Sequence, residues 1–100
     1  MSVIVEDRRG RQIALRKLGV VEQLRLFKCL GADLAENKAY FGLARLAAMV
    51  SAIDDVPVPF PANEQGLEAI LDRLDEDGVE AVGLAAAEMV RTDVLADAGN

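Results

Sequence analysis

All three prolines of this 100-residue chain, Pro57, Pro59 and Pro61, stand in one short stretch, Ile53-Asp54-Asp55-Val56-Pro57-Val58-Pro59-Phe60-Pro61. Proline lacks the amide proton a helix needs and forces the residue before it out of the helical region, so no helix can run through this segment. The chain is divided there. Asp54-Asp55 suits a tight turn or a small hairpin, and the prolines favour extended backbone with few sheet hydrogen bonds. A chain of this length has material for a single hydrophobic core. The two sides of the divider are therefore expected to pack together as one domain over 1–95, followed by a flexible polar tail over 96–100.

The elements on each side follow from apolar periodicity. Val3-Ile4-Val5 is β-branched, Arg8-Arg9-Gly10-Arg11 has turn character, and Ile13 and Leu15 alternate with Gln12, Ala14 and Arg16, which predicts a β-hairpin and link over 1–19. Residues 20–52 read as helices. Val21, Leu24, Phe27 and Leu30 recur at helical spacing up to Gly31, and this face is expected to cover the hairpin. Asn37 then caps a helix carrying Tyr40, Phe41, Leu43, Leu46, Ala47, Met49 and Val50, apolar most of the way round. Such a helix is either central to the fold or covered by a partner. Beyond the Pro-rich turn (53–62), residues 63–95 read as two more helices. The first is capped by Asn63, carries a Leu67, Ile70, Leu71 and Leu74 stripe and ends at Gly78; the second starts at Val79. The expected fold class is α+β, mostly α: an N-terminal hairpin on about four helices, with a short Pro-rich extended segment between the second and third.

With 52% hydrophobic but only 4% aromatic residues, the interior must be built from Ala, Leu, Val and Ile. The longest apolar segment, around Phe41 to Ile53, contains Arg45, and Glu6, Asp7, Arg8 and Arg9 interrupt the start. Neither a membrane span nor a secretory signal is expected, and a cytoplasmic protein is. Cys29, the single cysteine, has no partner for an internal disulfide. Charge is two-ended. Residues 1–28 carry seven basic and three acidic side chains (+4), the rest four basic and fourteen acidic (−10), together the net −6. Such ends are either complementary docking surfaces or ordinary solvated charge. Arg8, Arg9, Arg11, Arg16 and Lys17 are the charged docking candidates.

Catalysis is poorly provided for. There is no His, so neither a zinc site nor a His-activated nucleophile can be assembled, and no cofactor is expected. Asp72-Arg73-Leu74-Asp75-Glu76-Asp77-Gly78 fails as a calcium loop, because its register puts Arg73 first and Leu84 twelfth, where carboxylates are required. The paired carboxylates of Asp54-Asp55 and Asp75-Glu76-Asp77 lie in polar turns where no raised pKa is expected. Arg25 and Lys28 beside Cys29 would favour a reactive thiolate, whereas burial would make it a small hydrophobe. The basic hairpin lacks interleaved aromatics and the chain is acidic, which argues against nucleic acid as the partner.

The opening Asp7-Arg8-Arg9-Gly10-Arg11-Gln12-Ile13-Ala14-Leu15-Arg16-Lys17, running into Leu18-Gly19-Val20-Val21, resembles the "D-x-x-G-R-x-I-x-L-R-x-x-G-V" lead-in of the tail assembly chaperones of long-tailed bacteriophages and prophages. Asn37 to Tyr40, then Ile53-Asp54-Asp55-Val56-Pro57-Val58, then Leu71 to Gly78 with Ala81-Val82 follow in similar order, so the resemblance spans about residues 5 to 90. Where that family's turn reads Ile-Asp-Gly, this chain has Ile53-Asp54-Asp55. The resemblance implies a non-catalytic protein that binds and solubilises the tape-measure protein while the tail tube is built, then leaves and is absent from the mature virion. Self-association is expected and tube protein is a further possible partner. Tyr40, Phe41, Leu43, Leu46 and Met49 are the partner-binding candidates. The competing readings are a small DNA-binding phage regulator using the basic hairpin and a minor structural tail component.

Overall fold

The computed structural model describes residues 3–98; the side-chain surroundings of residues 34, 35 and 90–98 are not described. The fold is α+β. Strands β1 (Val3–Glu6), β2 (Gln12–Leu15), β3 (Val50–Ile53) and β4 (Val56–Pro57) form one antiparallel sheet in the order β1-β2-β3-β4. Helices α1 (Val20–Ala35) and α2 (Lys38–Met49) are inserted between β2 and β3, and α3 (Glu64–Ala98) follows β4.

The β1–β2 loop is organised by Asp7. Its carbonyl accepts from the Gly10 amide (3.0 Å) and its own amide donates to the Arg11 carbonyl (3.1 Å). Gly10 has a φ of 81°, the left-handed conformation that closes a three-residue hairpin loop. The β3–β4 turn is tighter. Asp54 and Asp55 have φ of 49° and 67°, so both central residues are left-handed, as a two-residue turn matched to strand twist requires. Aspartate tolerates this conformation better than most residues, which is why the turn forms without the glycine. Pro57 ends the sheet on edge strand β4, where its missing amide costs no central ladder bond.

Ile13, Leu15, Val50 and Ile53 put one face of the sheet into the core, while Ile4 lies open to solvent. Such one-sided burial is usual for antiparallel sheets. Leu26 and Leu30 of α1, Ala44, Ala47, Ala48 and Met49 of α2, and Leu67, Ile70, Leu74 and Val82 of α3 join it, with Leu18 and Val58 from the links. The alanines let α2 sit close to its neighbours. Asn37 accepts from the Tyr40 amide (3.1 Å) and Asn63 from the Gly66 amide (2.9 Å), so both expected caps form.

Three expectations are corrected. Gly31 (φ 77°, ψ 167°) does leave helical geometry, but α1 resumes beyond it to Ala35. The face of α1 is different from the one read off the spacing: Leu26 and Leu30 are buried, whereas Val21, Leu24 and Phe27 are exposed. With apolar residues on both sides of this helix, spacing alone cannot choose the inner one. Finally, the described residues form three helices rather than about four. The third breaks at Asp75 (φ 57°, ψ −171°), not at Gly78, and continues to Ala98. Gly99 and Asn100 of the expected tail lie outside the described residues. Among the described residues no helix is long and apolar enough to cross a membrane.

Candidate partner-binding surface

The basic N-terminal end meets the acidic C-terminal end within the chain itself. The hairpin tip docks on the break in α3. Arg9 bonds Asp75 at 2.6 Å and Asp77 at 3.2 Å, and Arg8 pairs with Glu80 at 3.0 Å. Arg11 is the centre of this arrangement. Its Nε donates to Asp7 Oδ2 (2.7 Å), and its Nη1 and Nη2 donate to the carbonyls of Arg73 (2.7 Å) and Leu74 (2.6 Å). Those carbonyls lie in the last turn of the first half of α3, where helical amide partners run out. Asp75 in turn accepts from the Glu76 amide (2.9 Å), helping to start the second half.

Gly78 makes the approach possible. A Cβ there would lie 2.9 Å from Leu74 Cβ and 3.2 Å from Arg11 Nη2. Gly78→Ala is therefore expected to lower stability by about 1–3 kcal/mol, read as a lower urea midpoint with unchanged m-value. The sequence treats Gly78 as a helix end, but it is a contact residue inside the helix.

Asp7 is buried, its side chain fully covered. Burial pushes its carboxyl up, but the Arg11 amide and guanidinium, with the Arg9 amide, outweigh this and hold it below the ordinary range. The hydrogen bond from Arg9 is the main cause of the same shift at Asp75. Both pKa values are depressed on folding. The stability they contribute is present above about pH 4 and is lost as pH falls through the folded-state values. The urea midpoint should drop on acidification below about pH 4, with a shallower drop in Asp7→Asn.

Arg16 lies along the sheet. Its Nη2 donates to the Val50 and Val58 carbonyls (3.0 and 2.7 Å), and its guanidinium sits 5.8 Å from the Phe60 ring centroid. Four of the five charged docking candidates, Arg8, Arg9, Arg11 and Arg16, thus hold the chain's own surfaces together; Lys17 lies instead at the edge of a groove.

That groove is a partly enclosed concave surface. It runs between α2 and α3 and the link before α1, holds about 340 Å³, and is lined by Lys17, Leu18, Gln23, Gly42, Arg45, Leu46, Met49, Ala86 and Met89. Its floor is apolar and includes two methionines; its edges carry Lys17 and Arg45. The five apolar candidates divide around α2. Leu46 and the buried Met49 line the groove, and Leu43, 44% exposed, stands one turn before Leu46. Tyr40 and Phe41 face elsewhere. Phe41 stacks on Phe27 of α1 with ring centroids 5.0 Å apart. Tyr40 lies near Glu68, Glu64 and Cys29, and burial, then those carboxylates, raises its hydroxyl pKa.

Cys29 is half-buried, and burial followed by the charge of Glu64 pushes its thiol pKa up. This favours the hydrophobic role over the reactive one. Sequence reasoning missed the exposed outer face of α1 and the docking of the hairpin tip. The second was signalled by the opposite charges of residues 8–11 and 75–80. Comparison with protein-family models, with curated proteins and with solved structures finds no match.

Proposed function

We propose that this chain is a tail assembly chaperone of the phage or prophage kind, binding and solubilising the tape-measure protein during tail tube assembly without catalysis. The observation that carries this reading is the groove between α2 and α3: open, apolar-floored, edged by Lys17 and Arg45, and served by flexible methionines. Its chemistry suits an apolar helical segment of a long client, with the Leu43–Leu46 side of α2 as the contact face. Residues 53–62 act as the Pro-rich divider, and the two halves of α3 meet at the break at Asp75.

In this role the protein works in the cytoplasm of the bacterial host, associates with itself, can also meet the tube protein, and is absent from the mature virion. The regulator reading is weakened by the ion pairs that occupy Arg8 and Arg9. The test is co-expression with the longest protein encoded immediately downstream, followed by pull-down and size-exclusion chromatography. A soluble complex is expected. Failure to keep that protein soluble, or recovery of this chain in mature particles, contradicts the proposal.

A further inference from the structure

The outer face of α1 is apolar and largely open, with Phe27 at its edge stacked on Phe41. Val21, Leu24 and Phe27 are 56%, 58% and 45% exposed, and Arg25 and Lys28 stand beside them. Neither base makes an ion pair with another described residue. The opposite arrangement occurs on α3. A shallow groove there is lined by Leu71 and Val79 and rimmed by Glu68, Asp72, Asp75 and Glu76. Arg9 holds Asp75, but Glu68, Asp72 and Glu76 likewise have no ion-pair partner among the described residues.

We infer that the α1 face of one copy docks into the acidic α3 groove of a second copy. The match is twofold. Leu24 and Phe27 would cover Leu71 and Val79, and Arg25 and Lys28 would meet Glu68, Asp72 and Glu76, so apolar and charged parts are complementary together. The two faces do not satisfy each other within one chain: neither Arg25 nor Lys28 pairs with Glu68, Asp72 or Glu76, and α2 packs against both helices, Phe41 toward α1 and Leu46 3.7 Å from the Cβ position of Gly83 on α3. Different patches on the two copies make a head-to-tail contact, which builds rings where its rotation closes and filaments where it does not. The client groove stays free, since Leu46, Met49 and Met89 are not part of either face.

The inference rests on the reading that the chain self-associates, and is tested on the purified full chain with no client, so its failure is distinct from failure of the chaperone reading. Sedimentation velocity across protein concentration should show reversible association that weakens with added salt. R25E/K28E and E68K/D72K, all at exposed positions, should each weaken association by about tenfold or more through like-charge contact. The fourfold variant carrying both reversals should recover it. Circular dichroism checks folding, and the milder R25Q/K28Q and E68Q/D72Q pairs should show smaller losses in the same direction. A strictly monomeric wild type would overturn the inference. So would indifference to either reversal, which would assign the α1 face to a different occupant, or no recovery in the fourfold variant.

Discussion

Arg11→Ala is expected to cost about 3 kcal/mol or more of stability, the largest loss predicted for any single exposed-to-intermediate side chain here. Three consequences fall together. The substitution leaves the covered carboxylate of Asp7 without its guanidinium, and it strips the carbonyls of Arg73 and Leu74 of their donors. It also removes support from the break at Asp75, whose backbone (φ 57°, ψ −171°) lies in a region costing about 1–3 kcal/mol for a residue with a side chain. A domain of this size has about 5–15 kcal/mol in total, so the variant should unfold at a clearly lower urea concentration. Arg11→Lys should recover little, because an ammonium cannot reach Asp7 and two carbonyls with the planar fork of a guanidinium. Equal urea midpoints for Arg11→Ala and wild type would mean that the tip does not hold the break.

Gly42→Leu should separate stability from binding. Gly42 is exposed in the interior of α2 and lines the groove proposed to hold the client, and a Cβ there meets nothing within 4 Å. A leucine therefore gains helix propensity, raising stability by about 0.5–1 kcal/mol. The same side chain occupies the groove. Capture of the tape-measure protein should fall about 10- to 100-fold, as expected when a central pocket of an interface is blocked. Thermal melts and quantitative pull-down read the two effects independently. Undiminished capture would place the client elsewhere.

Local signals in the sequence were sufficient where one residue carries the structure. Asn37 and Asn63 act as caps because their short side chains reach the amides three residues on, and Asp54-Asp55 turns the chain because both can adopt a left-handed backbone. The hairpin was legible from the alternation about Ile13 and Leu15. Helix faces were harder. α1 has apolar residues on two sides, and only tertiary packing selects Leu26 and Leu30 over Leu24 and Phe27. Gly78 misled for a related reason: a glycine near a helix end signals a stop, yet this one admits Leu74 and Arg11, while the break falls on Asp75. The candidate surface was half legible. Leu46 and Met49 stood among the apolar residues of α2, but Leu18, Ala86 and Met89 join them only through the fold.

The groove between α2 and α3 is the centre of this account, and site-specific photo-crosslinking tests it most directly. A benzophenone amino acid placed at Leu43, exposed beside the groove, should crosslink to co-expressed tape-measure protein. The same probe at Ile4, exposed on the open face of the sheet, should not. Crosslinking from position 4 with none from position 43 would contradict the account and move the client to the sheet.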